Sequence, residues 1–410
     1  MPAAPSASPS GPSGSAVSSR ITSIDALRGS IMILMALDHV RDFTSSAAMQ
    51  FSPTDLTRTT AALFFTRWIT HFCAPVFAFT AGLGAFFWLQ RSGRTRAQLS
   101  WFLLTRGLWL VLVELTVVRF LFFFQFQLKG GLFVLTVFWM LGLCMVFLAA
   151  LIYLPPWLLA SLSLFVVATH NLFDGVDPAR FGAAAPLWDV LHQQALIPLL
   201  GANFVTAYPL VPWIAVVALG YCCGPVFRWD APRRFVFLLR LGSVLTLTFL
   251  VLRAANRYGD ASRWEHQSKS LFTVLSFLNA TKYPPSLLFL LMTLGPALIA
   301  LALFERFRFA DSNPLIVFGR VPFFYFLFHL MLAHLAAIAL GALRYGPHFF
   351  LLLPPPSFGG PPDQFPPNHG YSLPVVYLIW FAVVALSYPV CRRYASYKSA
   401  HRANPWLSYL

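Results

Sequence analysis

Apolar runs of roughly 20 residues recur along this sequence from Ile24 to Val390, separated by short connections. A helix of that length crosses the roughly 30 Å hydrocarbon core of a bilayer. Only 10% of the residues are charged, whereas an ordinary soluble domain carries about 25%. So few charges cannot cover the surface of a water-soluble fold of this size. We therefore predict an all-α integral membrane protein, a bundle of about ten transmembrane helices.

Breaker residues between the runs define one transmembrane domain at 20–395, preceded by a disordered tail at 1–19 and followed by a cytoplasmic tail at 396–410. The fifth span is the weakest, because prolines and Asn171 leave a short run. If that run is re-entrant, nine spans remain. The predicted spans are 24–43, 60–89, 99–120, 131–153, 156–172, 209–227, 234–253, 285–304, 314–343 and 373–391.

The net charge of +15 comes from cations in short clusters between apolar runs. A nucleic-acid binder would instead present a basic patch with interleaved aromatics, so no nucleic acid is expected as a partner. Cations in short connections favour the cytoplasmic side of a membrane. We therefore expect the cell inner (cytoplasmic) membrane, with both termini in the cytoplasm.

The first span carries an unusual set of ionisable residues. An ionisable group at membrane depth is costly unless it is paired or hydrated, so it marks a candidate site. At about 100° per residue, Arg28 and His39 project within roughly 20° of each other. The stretch that ends this span contains Asp38, His39, Arg41 and Asp42. Such a sequence of acid, imidazole and cation predicts more than a helix boundary.

A purely structural interpretation of the same span stays open. Asp25 and Arg28 have the i,i+3 spacing of an ordinary helix-surface ion pair. Asp38 and Asp42 would then only mark the exit of the helix.

The second span combines Arg67, His71 and Pro75. Pro75 cannot donate to the carbonyl of His71, so we expect a kink that leaves this oxygen free. Arg67 and His71 share a helix face. The pattern favours a cavity between the first two spans, with a satisfied core histidine as the alternative for His71.

Weaker candidates lie farther along the chain. Glu114 is expected to pair with a nearby arginine, Arg106 or Arg119. His329 and His334 diverge by about 140° and cannot line one site together, and we favour His329. Five residues enter spans 6 and 8 from the outer side, where ordinary helix starts are the alternative: Asn203, Tyr208, Trp213, Lys282 and Tyr283.

Five motifs together are similar to bacterial members of the heparan-alpha-glucosaminide N-acetyltransferase catalytic-domain family, over about residues 20–395. The opening Asp-x-x-Arg-Gly alone is less specific, because the related acyltransferase-3 enzymes begin in the same way. The motifs are Ser23-Ile-Asp25-Ala-Leu-Arg28-Gly29 with its Asp38-His39-Val-Arg41-Asp42 end, Thr70-His71-Phe-Cys73-Ala-Pro75, Tyr208-Pro209-Leu-Val-Pro212-Trp213, Lys282-Tyr283-Pro284-Pro285 and Phe318-Gly319-Arg320-Val-Pro322 with His329.

The resemblance implies a membrane enzyme that passes an acetyl group from cytoplasmic acetyl-CoA to an acceptor on the far side. It also implies a catalytic histidine near the outer ends of the first helices. In the lysosomal member, this histidine lies in the loop between the first two spans. Residues 43–59 of the present chain contain no histidine, so His39 or His71 would take over.

We therefore hypothesise a transmembrane acyltransferase that acts on a sugar amine or hydroxyl. His39 would be the general base or a transient acyl carrier, oriented by Asp38 or Asp42. His71 would be a second histidine or an oxyanion donor. The predicted substrate-binding residues are Arg28, Arg41, Arg67, Asn203, Tyr208, Trp213, Lys282, Tyr283 and His329.

The remaining expectations concern partners and a rival function. Five cysteines lie in or beside apolar segments, so neither disulfides nor a metal site is expected. The partners would be the lipid bilayer and a glycan or other small-molecule acceptor, and a homodimer stays open. The rival is a proton-coupled transporter in which Asp38, His39, His71 and Glu114 form a relay.

Overall fold

A computed structural model describes residues 21–91, 93–124, 130–401, 404 and 407, so the predicted tail at 1–19 lies outside the described residues. The helices are α1 (Thr22–Thr44), α2 (Ala61–Thr70), α3 (Cys73–Leu89), α4 (Arg96–Val113), α5 (Arg119–Phe123), α6 (Val137–Leu151), α7 (Pro156–Thr169), α8 (Ala185–His192), α9 (Leu210–Cys223), α10 (Ala231–Ala255), α11 (Ser270–Leu278), α12 (Leu287–Phe304), α13 (Pro314–Arg320), α14 (Pro322–Tyr345) and α15 (Leu373–Ala400).

The long helices confirm a multi-pass membrane protein. Within the described part of the chain, eight helical segments are long and apolar enough to cross a bilayer. They include Pro156–Phe173, the predicted fifth span. Two predicted spans fall outside these eight: α1, which has 23 residues but several charges, and α6, which has 15 residues. Each of the ten predicted segments contains helix.

A small sheet, which the sequence did not predict, accompanies the helices of this predominantly α-helical membrane protein. Strands β1 (Leu132–Leu135), β2 (Leu196–Leu199) and β3 (Ala202–Thr206) pair in the order β1-β3-β2. β1 runs parallel to β3 and β2 runs antiparallel to it. The sequence placed 131–153 in one span because a short apolar run does not distinguish a buried strand from a helix.

Several helix boundaries also differ from the predicted ones. The predicted second span is interrupted at His71 and Phe72, where α2 ends and α3 begins, which confirms the expected kink before Pro75. A π-helical turn at Glu114–Val118 separates α4 from α5. The last helix continues to Ala400, five residues into the predicted tail.

Paired glycines bring four pairs of helices into backbone contact. A Cβ atom on Gly29 of α1 would lie 1.8 Å from the Leu315 carbonyl oxygen, and one on Gly319 of α13 would lie 1.9 Å from the Asp25 oxygen. Such close approach is typical of membrane helix pairs with small residues at the interface. The other pairs are Gly82 with Gly220, Gly107 with Gly142, and Gly242 with Gly295.

Candidate active site

Asp38 is the centre of a buried network between α1 and α2. Its carboxylate accepts hydrogen bonds from Arg67 Nη1 at 2.8 and 2.6 Å. Thr70 Oγ1 donates to the same carboxylate at 2.8 Å, and Arg41 Nη2 forms an ion pair with it at 2.8 Å. The break after α2 places Thr70 and Arg67 beside this turn of α1. Three donors therefore hold the carboxylate in one orientation.

Arg41 connects this network to Asp42. Its Nη2 atom lies 2.5 Å from Asp42 Oδ1, and its Nε atom donates to the same oxygen at 3.1 Å. The Arg41 side chain is 2% exposed, yet its Nη1 atom has no hydrogen-bond partner among the described residues. A buried guanidinium nitrogen without an acceptor loses its hydration uncompensated, so this donor is available to a ligand oxygen.

His39 lies on the neighbouring face of α1 and contacts α14. Its Nδ1 atom is 2.9 Å from His329 Nε2. His329 Nδ1 in turn lies 2.6 Å from the Tyr325 carbonyl oxygen, which can only accept. His329 therefore donates through Nδ1 and, as a neutral ring, accepts through Nε2. His39 then donates through Nδ1, which leaves the lone pair of its Nε2 atom free.

The histidine partner of His39 differs from the expected one. The sequence predicted a common pocket for His39 and His71. In the structure, His39 is hydrogen-bonded to His329 instead. His71 is buried at the break between α2 and α3, against the ring of Phe289, and its Nδ1 atom lacks a partner within the described ranges. His334 faces away and bonds the Leu121 oxygen at 2.7 Å, in keeping with the divergence predicted along this helix.

A lysine and two tyrosines border the Asp38 network. Lys282 Nζ lies 4.9 Å from the ring centre of Tyr283 and 5.7 Å from that of Tyr208. The Tyr283 hydroxyl donates to the Tyr208 hydroxyl at 3.5 Å. The charge of Lys282 also acts on Asp38. The Tyr208 ring lies 5.8 Å from the buried ring of Trp213. Four residues from two predicted helix entrances thus meet beside the network.

The two phenols have opposite electrostatic environments. Burial and the neighbouring Tyr283 hold the pKa of Tyr208 well above its usual range. Burial also acts to raise the pKa of Tyr283, but the positive charges of Lys282 and Arg67 outweigh it and lower that pKa. Tyr208 therefore remains a proton donor, whereas Tyr283 is the more acidic of the pair.

The loop between α10 and α12 is rigidly built and positions Lys282. Asp260 accepts from the backbone N–H of Thr281 at 2.8 Å and from Ser286 Oγ at 2.6 Å. Arg253 is buried and donates to the carbonyl oxygens of Ser276 and Asn279 at 3.1 and 3.0 Å. The sequence did not single out Asp260, a charged residue in a long loop, or Arg253, which lies in the last turn of α10.

Two predicted substrate-binding residues lie apart from this cluster. Arg28 donates to the Thr80 carbonyl oxygen at 2.7 Å. It lies eleven positions before His39, which corresponds to about 16 Å along the helix. Arg28 and His39 therefore lie on the same face of α1 but at different heights along it. Asn203 is exposed on β3, and its backbone pairs with β1. The sequence predicted that Asn203 lies just before a membrane-spanning helix, whereas the structure places it in strand β3.

Glu114 has a structural role. It accepts from the backbone N–H and the hydroxyl of Thr136 at 2.9 and 2.6 Å, and from the N–H of Phe138 at 3.1 Å. These bonds cap the N-terminus of α6, where backbone donors lack partners within the helix. The sequence expected an arginine at this carboxylate. Across the described ranges, no group of three or more metal-ligating side chains comes together.

A known protein family matches the part of the sequence that contains much of this site. The model of the family "Heparan-alpha-glucosaminide N-acetyltransferase, catalytic" matches residues 20–252, more than half of the chain. The match includes Asp38, His39, Arg67 and His71, whereas Lys282 and His329 lie beyond it. No curated protein matches the chain. With its membrane-spanning helices and buried polar site, the chain therefore belongs to the heparan-alpha-glucosaminide N-acetyltransferase catalytic family, and its function is that of a membrane acetyltransferase.

Proposed function

We propose that this protein transfers an acetyl group from cytoplasmic acetyl-CoA to an amine or hydroxyl of an extracytoplasmic sugar acceptor. One observation carries the assignment: the hydrogen-bonded chain from the Tyr325 carbonyl oxygen through His329 to His39. This chain orients His39 so that its Nε2 lone pair can accept a proton, and an ionisable side chain at membrane depth marks a candidate site. The bilayer and a glycan are the corresponding partners.

His39 would act as the general base. When bound, acetyl-CoA supplies a thioester carbonyl. His39 Nε2 takes the proton of the acceptor nitrogen or oxygen as that atom bonds to the carbonyl carbon and the carbon–sulfur bond breaks. The thiolate released in this step recovers the proton from His39. His329 keeps the ring of His39 in the required tautomer, as a second imidazole with its own fixed acceptor can do.

Two buried nitrogen atoms without partners fit an acyl oxygen. Arg41 Nη1 and His71 Nδ1 are both enclosed and have no hydrogen-bond partner in the part of the chain that the structure describes. Arg41 Nη1 is a donor in every state, whereas His71 Nδ1 donates in the tautomer that carries its proton there. Donors of this kind stabilise negative charge that develops on a carbonyl oxygen, because they need little reorganisation. Asp38 holds Arg41 and Arg67 in place. We assign charge stabilisation to Arg41 and His71, with Lys282 as an additional cation.

The same proposal includes a binding place for the acetyl-CoA donor and a location for the protein. Arg94 lies 3.7 Å over the ring of Trp88, between α3 and α4, on the side that we assign to the cytoplasm. Arg91 and Arg96 flank it. These cations suit the phosphates of CoA. The protein would lie in the inner membrane with both termini in the cytoplasm.

Purified protein in liposomes provides the test, with glucosamine as the probe acceptor and release of the CoA thiol as the readout. We expect His39→Ala to lower turnover by about 10²–10⁴-fold, the usual contribution of general base catalysis. His348→Ala is the matched control, because His348 is exposed outside the site. His71→Ala tests the oxyanion role.

Wild-type turnover in both His39→Ala and His71→Ala would refute the assignment. Uptake of a solute without consumption of acetyl-CoA would instead support a proton-coupled transporter. Because Glu114 caps α6, a transporter relay would have to use Asp38, His39 and His71 without it. Mass spectrometry of envelope glycans from cells with and without the protein would then identify the acceptor.

A further inference from the structure

Helix α10 has one face packed in the protein and an opposite face exposed. The packed face contains Leu238, Gly242 and Phe249, which are buried. The exposed face is a stripe of apolar residues, as expected for a helix that meets lipid. The exposed apolar residues are Val236, Val244, Leu247, Leu250 and Val251.

Arg240 interrupts this apolar stripe. It is exposed, and no hydrogen-bond or ion-pair partner is present for its guanidinium among the residues that the structure describes. Arg240 lies nine positions after Ala231, the first residue of α10, which is about 14 Å along the helix. A cation at this depth on a lipid-facing surface is costly unless an anion or water reaches it. Glu305, at the C-terminal end of the neighbouring helix α12, pairs with Arg234 at 2.5 Å.

A groove of about 680 Å³ surrounds this arginine. Arg233 lies at its other end, with the guanidinium carbon 4.4 Å from the ring centre of Trp229. Tryptophan is enriched at the level of lipid headgroups. The rest of the lining is mainly apolar and includes Val236, Leu241 and Val244. The groove thus has one cation beside Trp229 and a second, Arg240, about two helical turns farther along α10, with apolar residues between and beyond them.

We propose that this groove binds one anionic phospholipid. The phosphate would lie between Arg233 and Arg240, and an acyl chain would lie along Val236, Leu241 and Val244. Charge complementarity selects an anion. The apolar floor on a lipid-facing surface selects a lipid over a soluble phosphate, because a small hydrophilic anion leaves that floor uncovered.

Native mass spectrometry of the full chain in detergent, with phosphatidylglycerol or phosphatidylcholine added, tests this site. We expect wild-type protein to retain one phosphatidylglycerol about tenfold more tightly than phosphatidylcholine. Arg240→Leu should abolish this preference, and its added apolar surface suits the lipid face. Arg240→Lys should keep most of it. Arg308→Leu is the control with the same charge change, since Arg308 is exposed outside the groove.

An unchanged preference in Arg240→Leu, or an equal loss in Arg308→Leu, would overturn the proposal. Displacement of phosphatidylglycerol by millimolar inorganic phosphate would also overturn it, because the site would then be one for soluble anions. Retention at the wild-type level in high phosphate supports the lipid site.

Discussion

The two halves of α1 are held by different forces. In the packed half, residues 22–32, backbone meets backbone: Gly29 touches Leu315, and Gly319 touches Asp25. In the site half, residues 33–44, side chains make the contacts, through the Asp38 network and the His39 ring. Dispersion over a tight glycine interface is the main force on the first half, which also has a side-chain hydrogen bond from Arg28 to the Thr80 carbonyl oxygen, whereas charge and hydrogen bonding hold the second half.

One helix thus serves both as scaffold and as site. A backbone interface without intervening side chains has few alternative arrangements, so it fixes the position of the whole helix. The site half can then present ionisable groups whose partners come from α2 and α14. The observed division predicts distinct responses to substitution in each half.

Asp38→Asn should have the largest effect on stability. The substitution keeps the shape of the side chain but leaves Arg41 and Arg67 without their shared charge. Loss of one member of a buried ion pair costs about 3–5 kcal/mol. A corresponding fall in the free energy of unfolding is expected, measured by denaturant titration in detergent micelles.

The control for this prediction is Asp311→Asn. Asp311 also pairs with an arginine, Arg320, but its side chain is 84% exposed. Exposed pairs contribute at most about 1 kcal/mol. Equal destabilisation by both variants would show that burial of the Asp38 network does not matter.

Gly29→Ala should have an intermediate effect in the packed half. The added methyl group would lie 1.8 Å from the Leu315 oxygen, so α1 and α13 must separate. Overpacking of this kind costs about 1–3 kcal/mol. The melting temperature followed by size-exclusion chromatography measures the loss. At Gly84 the nearest atom is Arg28 Nη2 at 3.5 Å, so Gly84→Ala should be nearly neutral. A similar loss at both glycines would contradict the backbone contact.

Trp380→Phe should have the smallest effect, because it removes one neutral hydrogen bond, from α15 to α1 where the two halves of α1 meet. Trp380 Nε1 donates to the Ile33 carbonyl oxygen at 2.9 Å. Such a bond contributes about 0.5–1.5 kcal/mol. Thermal unfolding should detect this loss, whereas Trp157→Phe, at a 71% exposed position, should change nothing. If Trp380→Phe lowered the stability more than Gly29→Ala does, the proposed ranking of the two contacts would be wrong.

The sequence predicted the helices better than their partners. The kink before Pro75 was predictable because a missing N–H acts within one turn. The split between α13 and α14 was not predicted, although Pro322 starts the second helix. Strand β1 was missed because its pairing residues lie about 70 positions later, in β3, as the register Leu132↔Asn203 shows. Local signals thus place helices, but distant pairing decides strands.

Residue types and helical spacing are enough to predict that the chain crosses a membrane many times and that α1 carries a costly group of charges. The contact of His39 with His329 rather than His71, and the separation of Arg28 and Asn203 from Asp38, arise from the packing of elements that are distant in the sequence. A sequence gives direction around a helix axis, whereas depth in the bundle and the choice of neighbour depend on how distant helices pack.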